Sequence, residues 1–280
     1  MRNFTPFGVR DFTPTETNKF KKNVRKIESE FEKWDYQQII TPTIEYYKTL
    51  EKGMGPQLKK RVETFKNSNG DVMVIRPDHT TPIARLVANR MKEEEKPIRL
   101  YYNGPIVRSP GQEVVTEMES FQAGIECIGL EGPEADAEVI MVCISALLKL
   151  GYTSFGIDIG YIQKNLTKKN QDLLIKQDYV GLGYIPKRGG VDILPSNHAL
   201  MDVYKILKKN KMDQYITFNM GITRELGYYT GIIFECYLSE KGFLIGSGGR
   251  YDNLIQDFGY PCPAVGFALN LSRLQLYRGI

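Results

Sequence analysis

The chain has 280 residues, 42% of them hydrophobic and 25% charged, with a formal net charge of +4 at pH 7 from 37 basic and 33 acidic side chains. That is ordinary globular composition, long enough to bury a core without staples and too evenly charged for a dedicated nucleic-acid binder. No apolar run reaches the roughly 18 residues a membrane helix needs, and the polar start with its two prolines is not a secretory signal, so the expected compartment is the cytoplasm.

Residues 15–34 carry Phe20, Val24, Ile27 and Phe31 at steps of three and four, which predicts an amphipathic helix with Thr15 as its N-cap. Residues 36–40 predict a strand that stops at Thr41-Pro42. The stretches 63–65 and 72–76 flank Asn67-Ser68-Asn69-Gly70-Asp71 and predict a hairpin. Residues 80–92 predict a helix with Pro82 in its first turn. A strand over 98–108 is interrupted at Gly104-Pro105, and a second covers 119–128. Residues 135–150 form a strongly apolar helix capped by Gly151, and 155–159 alternate as a strand. Residues 163–213 turn rich in Lys and Asn and predict a small helical insertion, with helices near 167–178 and 196–210. Strands follow at 215–219, 229–238 and 242–246, and 264–276 is a helix or a strand leading into one. Strands come in consecutive pairs instead of alternating with helices. The fold class is therefore α+β, a large antiparallel sheet flanked by helices in one domain spanning 1–280.

Cys127, Cys143, Cys236 and Cys262 are far apart and contain no C-x-x-C pair, which argues against zinc and for reduced, buried thiols. Neither His79 nor His198 has neighbours at metal-ligand spacing, so no metal is expected and both read as structural or surface residues. The basic runs at 19–26, 164–169 and 205–211 fall in helical patterns and read as solvated faces.

Polar clusters interrupt the apolar strands. Arg76-Pro77-Asp78-His79-Thr80-Thr81 reads as a helix start with Asp78 or Thr80 as N-cap, or as a carboxylate at a pocket rim. Gln122, Gly124 and Glu126 share a strand face by the period of two, a face turned either to solvent or to a pocket. Arg224 stands close to Tyr228 and Tyr229, which fits stacking at a sheet edge or a carboxylate clamp. The run Gly246-Ser247-Gly248-Gly249 lacks the spacing of a dinucleotide or Walker fingerprint.

Taken in order, these segments resemble the catalytic core of histidyl-tRNA synthetase, a class II aminoacyl-tRNA synthetase. The resemblance runs from FGVRDFTP at 7–14 to AVGFALNLSRL at 264–274, and its most specific pieces are RELGYYTGIIFE, GGRYDNL and PAVGFAL. It implies a histidine site made of Asp78, Thr80, Arg108, Gln122, Glu126, Arg224, Tyr228, Tyr229 and Arg273. Asp78, Gln122 and Glu126 would take the ammonium, Tyr228 and Tyr229 would line the imidazole pocket, and Arg224 would meet the carboxylate or phosphate side. Arg273 matches the arginine that ends the third class motif.

The departures from that family carry the functional expectation. The loop after Arg108 holds Gln112, Glu113, Thr116, Glu117 and Glu119 and no basic residue, and acidic groups there would repel a triphosphate. Ser272 stands where a glutamate is expected, Gly227 where an aspartate is, and Asp78 where a glutamate is. No anticodon-binding domain is expected after the third motif. The pattern resembles the synthetase-like regulatory subunits of short-form ATP phosphoribosyltransferase, in the first step of histidine biosynthesis. That resemblance implies no catalysis by the chain alone, no cofactor, L-histidine as ligand, a homodimer, and a hetero-octamer with the short catalytic subunit, which the chain activates and subjects to feedback inhibition. It implies neither a nucleic-acid nor a membrane partner. The alternative is a synthetase-like fragment that activates an amino acid with ATP.

Overall fold

The computed structural model describes residues 5–110, 117–162, 167–176, 178–222, 227–238 and 242–277. Helix α1 (Pro14–Lys33) starts one residue before the expected position, and its cap is Thr13, not Thr15. Thr13 accepts the Glu16 amide, and the Glu16 carboxylate accepts the Thr13 amide at 2.8 Å. Pro14 has no N–H to satisfy, so it fits the first helical position and pushes the capping box upstream.

A short strand β1 (Gln37–Gln38) replaces the five-residue strand expected at 36–40. Then come β2 (Ile44–Tyr46), the one-turn helices α2 (Tyr47–Leu50) and α3 (Pro56–Lys59), and the hairpin β3 (Thr64–Lys66) and β4 (Val72–Ile75). In the hairpin turn the Asn67 side-chain oxygen accepts the amides of Asn69 and Asp71, and Gly70 takes a positive φ of 85°. Helix α4 (Thr80–Arg90) follows. Strand β5 (Ile98–Val107) runs straight through Gly104-Pro105, against the expected interruption. Its neighbour β1 reaches only Leu100 and Tyr101, so Pro105 sits where that side of the ladder is already open and its missing N–H costs no strand bond.

The chain continues through β6 (Glu119–Ile128), α5 (Pro133–Leu150), β7 (Phe155–Tyr161), α6 (Lys168–Ile175), α7 (Tyr179–Leu182), β8 (Arg188–Gly189), α8 (Leu200–Lys209) and β9 (Ile216–Asn219). It ends with β10 (Ile232–Leu238), β11 (Phe243–Arg250), β12 (Ala264–Asn270) and α9 (Leu271–Tyr277). The glycine run 246–249 therefore lies inside strand β11. Within 163–213, α6 and α7 pack on each other, whereas α8 joins the main core against α5.

Among the described residues, nine strands form one sheet in the order β1-β5-β6-β12-β11-β10-β7-β9-β8, and β2-β4-β3 form a second. The six strands from β5 to β7 are antiparallel throughout, as the consecutive pairing predicts. The large sheet as a whole is mixed, because β1 joins β5 and β9 joins β7 in parallel. Alternation sorts its two faces. Ile125, Cys127, Val265, Phe267, Phe234, Cys236, Ile157 and Ile159 all point to one side and pack against α1, α5 and α8. Covered by the sheet and by helices on both flanks, α5 is apolar almost all round, and each large side chain it buries contributes about 1.5–3 kcal/mol.

Candidate functional site

The opposite face of the large sheet carries the site. Residues directly across from one another follow a single row: Tyr102 on β5, Gly124 on β6, Ala268 on β12, Ser247 on β11, Glu235 on β10 and Asp158 on β7. The next row includes Glu126, Gly266 and Gly249. Small residues in the middle and polar ones at the ends make a trough, a cavity of about 1000 Å³. The glycines are required by space. A Cβ on Gly266 would lie 1.8 Å from Glu126 Oε2, and one on Gly124 would lie 2.0 Å from the Phe267 carbonyl oxygen.

At the β5–β6 end the Glu126 side chain is fully buried. It accepts the Thr80 hydroxyl at 2.7 Å on one oxygen and the Tyr251 hydroxyl on the other. Burial pushes its carboxyl up to about 8 despite those two donors. Asp78 begins the turn into α4. One oxygen caps the helix by accepting the Thr81 amide at 2.8 Å, and the other is buried with no hydrogen-bond partner. Burial raises its pKa as well. The N-cap of α4 is His79, not Asp78 or Thr80; Asp78 holds the first turn from one position upstream, and the Thr80 hydroxyl is left for Glu126. Arg108 donates to the Pro77 carbonyl at 2.6 Å, which fixes the segment that carries Asp78. Tyr228 packs at 4.9 Å from Tyr229 and 5.6 Å from Tyr251, closing this end with phenol rings. His79 stacks on Tyr102 at 4.4 Å, and burial, with Arg76 nearby, lowers its pKa to about 3, so it is a neutral wall of the cavity.

The other end is lined by Glu235, whose carboxylate accepts the Tyr237 hydroxyl, and by Ser247 and Asn219. At the rim, Arg273 donates to the Leu244 carbonyl at 3.0 Å and lies 3.7 Å from Glu117. Ser272 points into the protein, where its hydroxyl accepts the Phe121 amide at 3.0 Å.

Asp78, Thr80, Arg108, Gln122 and Glu126, with Tyr228, Tyr229 and Arg273, therefore line one cavity, although they come from five separate segments. Arg224 lies outside the described residues, as do Gln112, Glu113 and Thr116 of the acidic loop. Sequence reasoning missed Tyr251 and Gly266, and it put Gly124 on the right strand face without seeing it as part of the floor. The signal for Tyr251 was present in GGRYDNL; that of the glycines depends on the pairing of β6 with β12, which is not local in sequence. Among the described residues no group of three or more His, Cys, Asp or Glu is placed to hold a metal, and no helix is long and apolar enough to cross a membrane. Two buried carboxyls with raised pKa, one carrying a free oxygen, and a ring of phenols suit a small cationic or zwitterionic ligand with N–H donors.

A family model described as histidyl-tRNA synthetase matches residues 8–167 and 190–274, most of the chain. The chain belongs to the histidyl-tRNA synthetase family. Among the most similar members of this family is an ATP phosphoribosyltransferase regulatory subunit of Halothermothrix orenii, 34% identical over 97% of this chain and 75% of its own length. A histidine–tRNA ligase of Methanocaldococcus jannaschii is 33% identical over 97% of this chain and 74% of its own. A solved Bacillus halodurans structure, described as an ATP phosphoribosyltransferase regulatory subunit/histidyl-tRNA synthetase, superposes with a TM-score of 0.88 at 28% identity, covering 99% of this chain and 83% of the other. The class II synthetase core anticipated from the motifs is the fold of this family member.

Proposed function

We propose that this chain is the regulatory subunit of a short-form ATP phosphoribosyltransferase, acting in the first step of histidine biosynthesis. The observation that carries the reading is the buried pair Asp78 and Glu126, set among Tyr228, Tyr229 and Tyr251. It is a built receptor for an amino acid with an N–H-bearing side chain. Relatives bearing the regulatory-subunit name support it over most of their length. In this reading the chain is one synthetase-like domain without catalytic activity of its own. It works in the cytoplasm, dimerises, and assembles with the catalytic subunit into a hetero-octamer. Histidine enters the trough and shifts the equilibrium between two states of the complex, a coupling free energy between two sites. The tyrosines and Glu126 would hold the imidazole and ammonium groups, with Asp78 and Gln122, while Thr80 and Arg108 keep the carboxyls in place.

Reconstitution with the short catalytic subunit tests this. The chain alone should transfer no phosphoribosyl group, the pair should be active, and histidine should inhibit the pair. Glu126→Ala should raise the histidine concentration for half-inhibition at least tenfold, and unchanged inhibition would mean that the site is misplaced. The similarity to a tRNA ligase favours a second reading, amino-acid activation with ATP. Histidine-dependent release of pyrophosphate from ATP by the chain alone would establish that reading in place of the first.

A further inference from the structure

The trough runs from the Asp78–Glu126 end to a rim that carries the ion pair of Arg273 and Glu117. Arg273, at the start of α9, is held in place through the Leu244 carbonyl, and its own amide is capped by the Asn270 side chain at 3.0 Å. Its counter-ion is Glu117, a carboxylate from the same chain at 3.7 Å, with both side chains largely buried. Asn270 donates its amide to the same Glu117 oxygen at 3.4 Å. Arg10 also faces Glu117 electrostatically, and one of its terminal nitrogens is buried without a hydrogen-bond partner. One guanidinium and one amide thus converge on one carboxylate, with the Arg10 charge in its surroundings. Arg273 and Asn270 are the donor set of an anion site, and Glu117 is the anion that fills it.

We propose that Glu117 is a specificity determinant: its carboxylate fills an anion subsite built by Arg273 and Asn270, and so excludes phosphorylated ligands from the trough. A phosphate group arriving there must displace Glu117 from Arg273 or share the site with it. Like charges at this separation in a half-buried setting repel strongly. A zwitterion at the far end, beside Asp78 and Glu126, meets no such barrier. The inference rests on reading this cavity as the ligand pocket, and it adds which ligands the pocket refuses.

The test is calorimetric titration of the full chain with pyrophosphate, then ATP, for wild type, Glu117→Gln and the double variant Glu117→Gln/Arg273→Ala. Glutamine keeps the shape and removes the charge. The expected result is at least tenfold tighter pyrophosphate binding by E117Q than by wild type, with the gain lost in the double variant and weakened by added salt. E117Q that binds pyrophosphate no more tightly than wild type, while retaining the wild-type melting transition, overturns the proposal. Histidine is titrated in parallel. A wild-type chain that takes up no histidine removes the pocket reading itself, whatever E117Q does with pyrophosphate.

Discussion

Glu126 is the residue on which chemistry and stability meet. Its folded-state pKa of about 8 stands above the ordinary carboxyl value of 4.5, and burial is the largest cause. The folded protein therefore holds a proton that the unfolded chain releases, so the stabilising contribution is full below about pH 4.5 and is lost as pH rises toward 8. Asp78, raised by the same burial, acts in the same direction. The loss is on the order of a few kcal/mol across that window. Glu126→Gln should abolish most of the slope. In urea denaturation of the free chain, wild type should weaken from pH 6.5 to pH 8 and the variant should stay nearly level. Parallel curves for the two proteins would mean that Glu126 ionises normally. His79 is silent in that window, since its depressed pKa of about 3 makes its contribution complete above its ordinary value of 6.5; below that it falls with acidification, opposite in sign to Glu126.

At the scale of elements, the trough exists because β6 and β12 present glycine where other strands present side chains. A methyl group on Gly266 would collide with the Glu126 carboxylate and with the Ile125 carbonyl oxygen at 2.4 Å, and backbone cannot yield as a flexible side chain would. Gly266→Ala should cost about 2–3 kcal/mol of stability, the range of overpacking, and should displace Glu126 enough to abolish histidine binding. A melting temperature within a degree of wild type would show that the strands separate cheaply. This contrast also explains what the sequence could disclose. The amphipathic period of α1, the apolar run of α5 and the Asn-Gly turn between β3 and β4 are local, so they were readable without a structure. The shared face of Gln122 and Glu126 was readable too, but whether it met solvent or a pocket depended on Gly266 and Tyr251, more than a hundred residues away. The parallel joins of β1 and β9 to the sheet edges are equally non-local, and no pattern within either strand announces them. The resemblance of several motifs in order supplied the pocket assignment that periodicity left open.

On the scale of the whole molecule, one apolar surface is left partly uncovered among the described residues. By register, Ile44 and Tyr46 on β2, Met73 and Ile75 on β4 and Phe65 on β3 share one face of the small sheet. The opposite face holds Val74, fully buried, and Glu45, paired at 2.6 Å with Arg85 of α4, so that side is the attached one. Ile40, 85% exposed, lies beside the outer face in the chain, and Ile44 and Tyr46 are about half exposed. Three short strands with an uncovered hydrophobic side are a poor structure in water and a good half of an interface. A second copy presenting the same face would satisfy both halves at once, because a two-fold interface is self-complementary. Ile44→Asp places a charge on this face, at a half-exposed position of the edge strand β2, without touching the core. It should shift the sedimentation of the chain from dimer to monomer at micromolar concentration, and leave the melting of each protomer and its response to histidine close to wild type. A variant that sediments as the wild-type dimer would move the dimer interface elsewhere. A wild type that is monomeric would leave the exposed face to the catalytic partner, and then the same substitution should instead weaken assembly with that subunit.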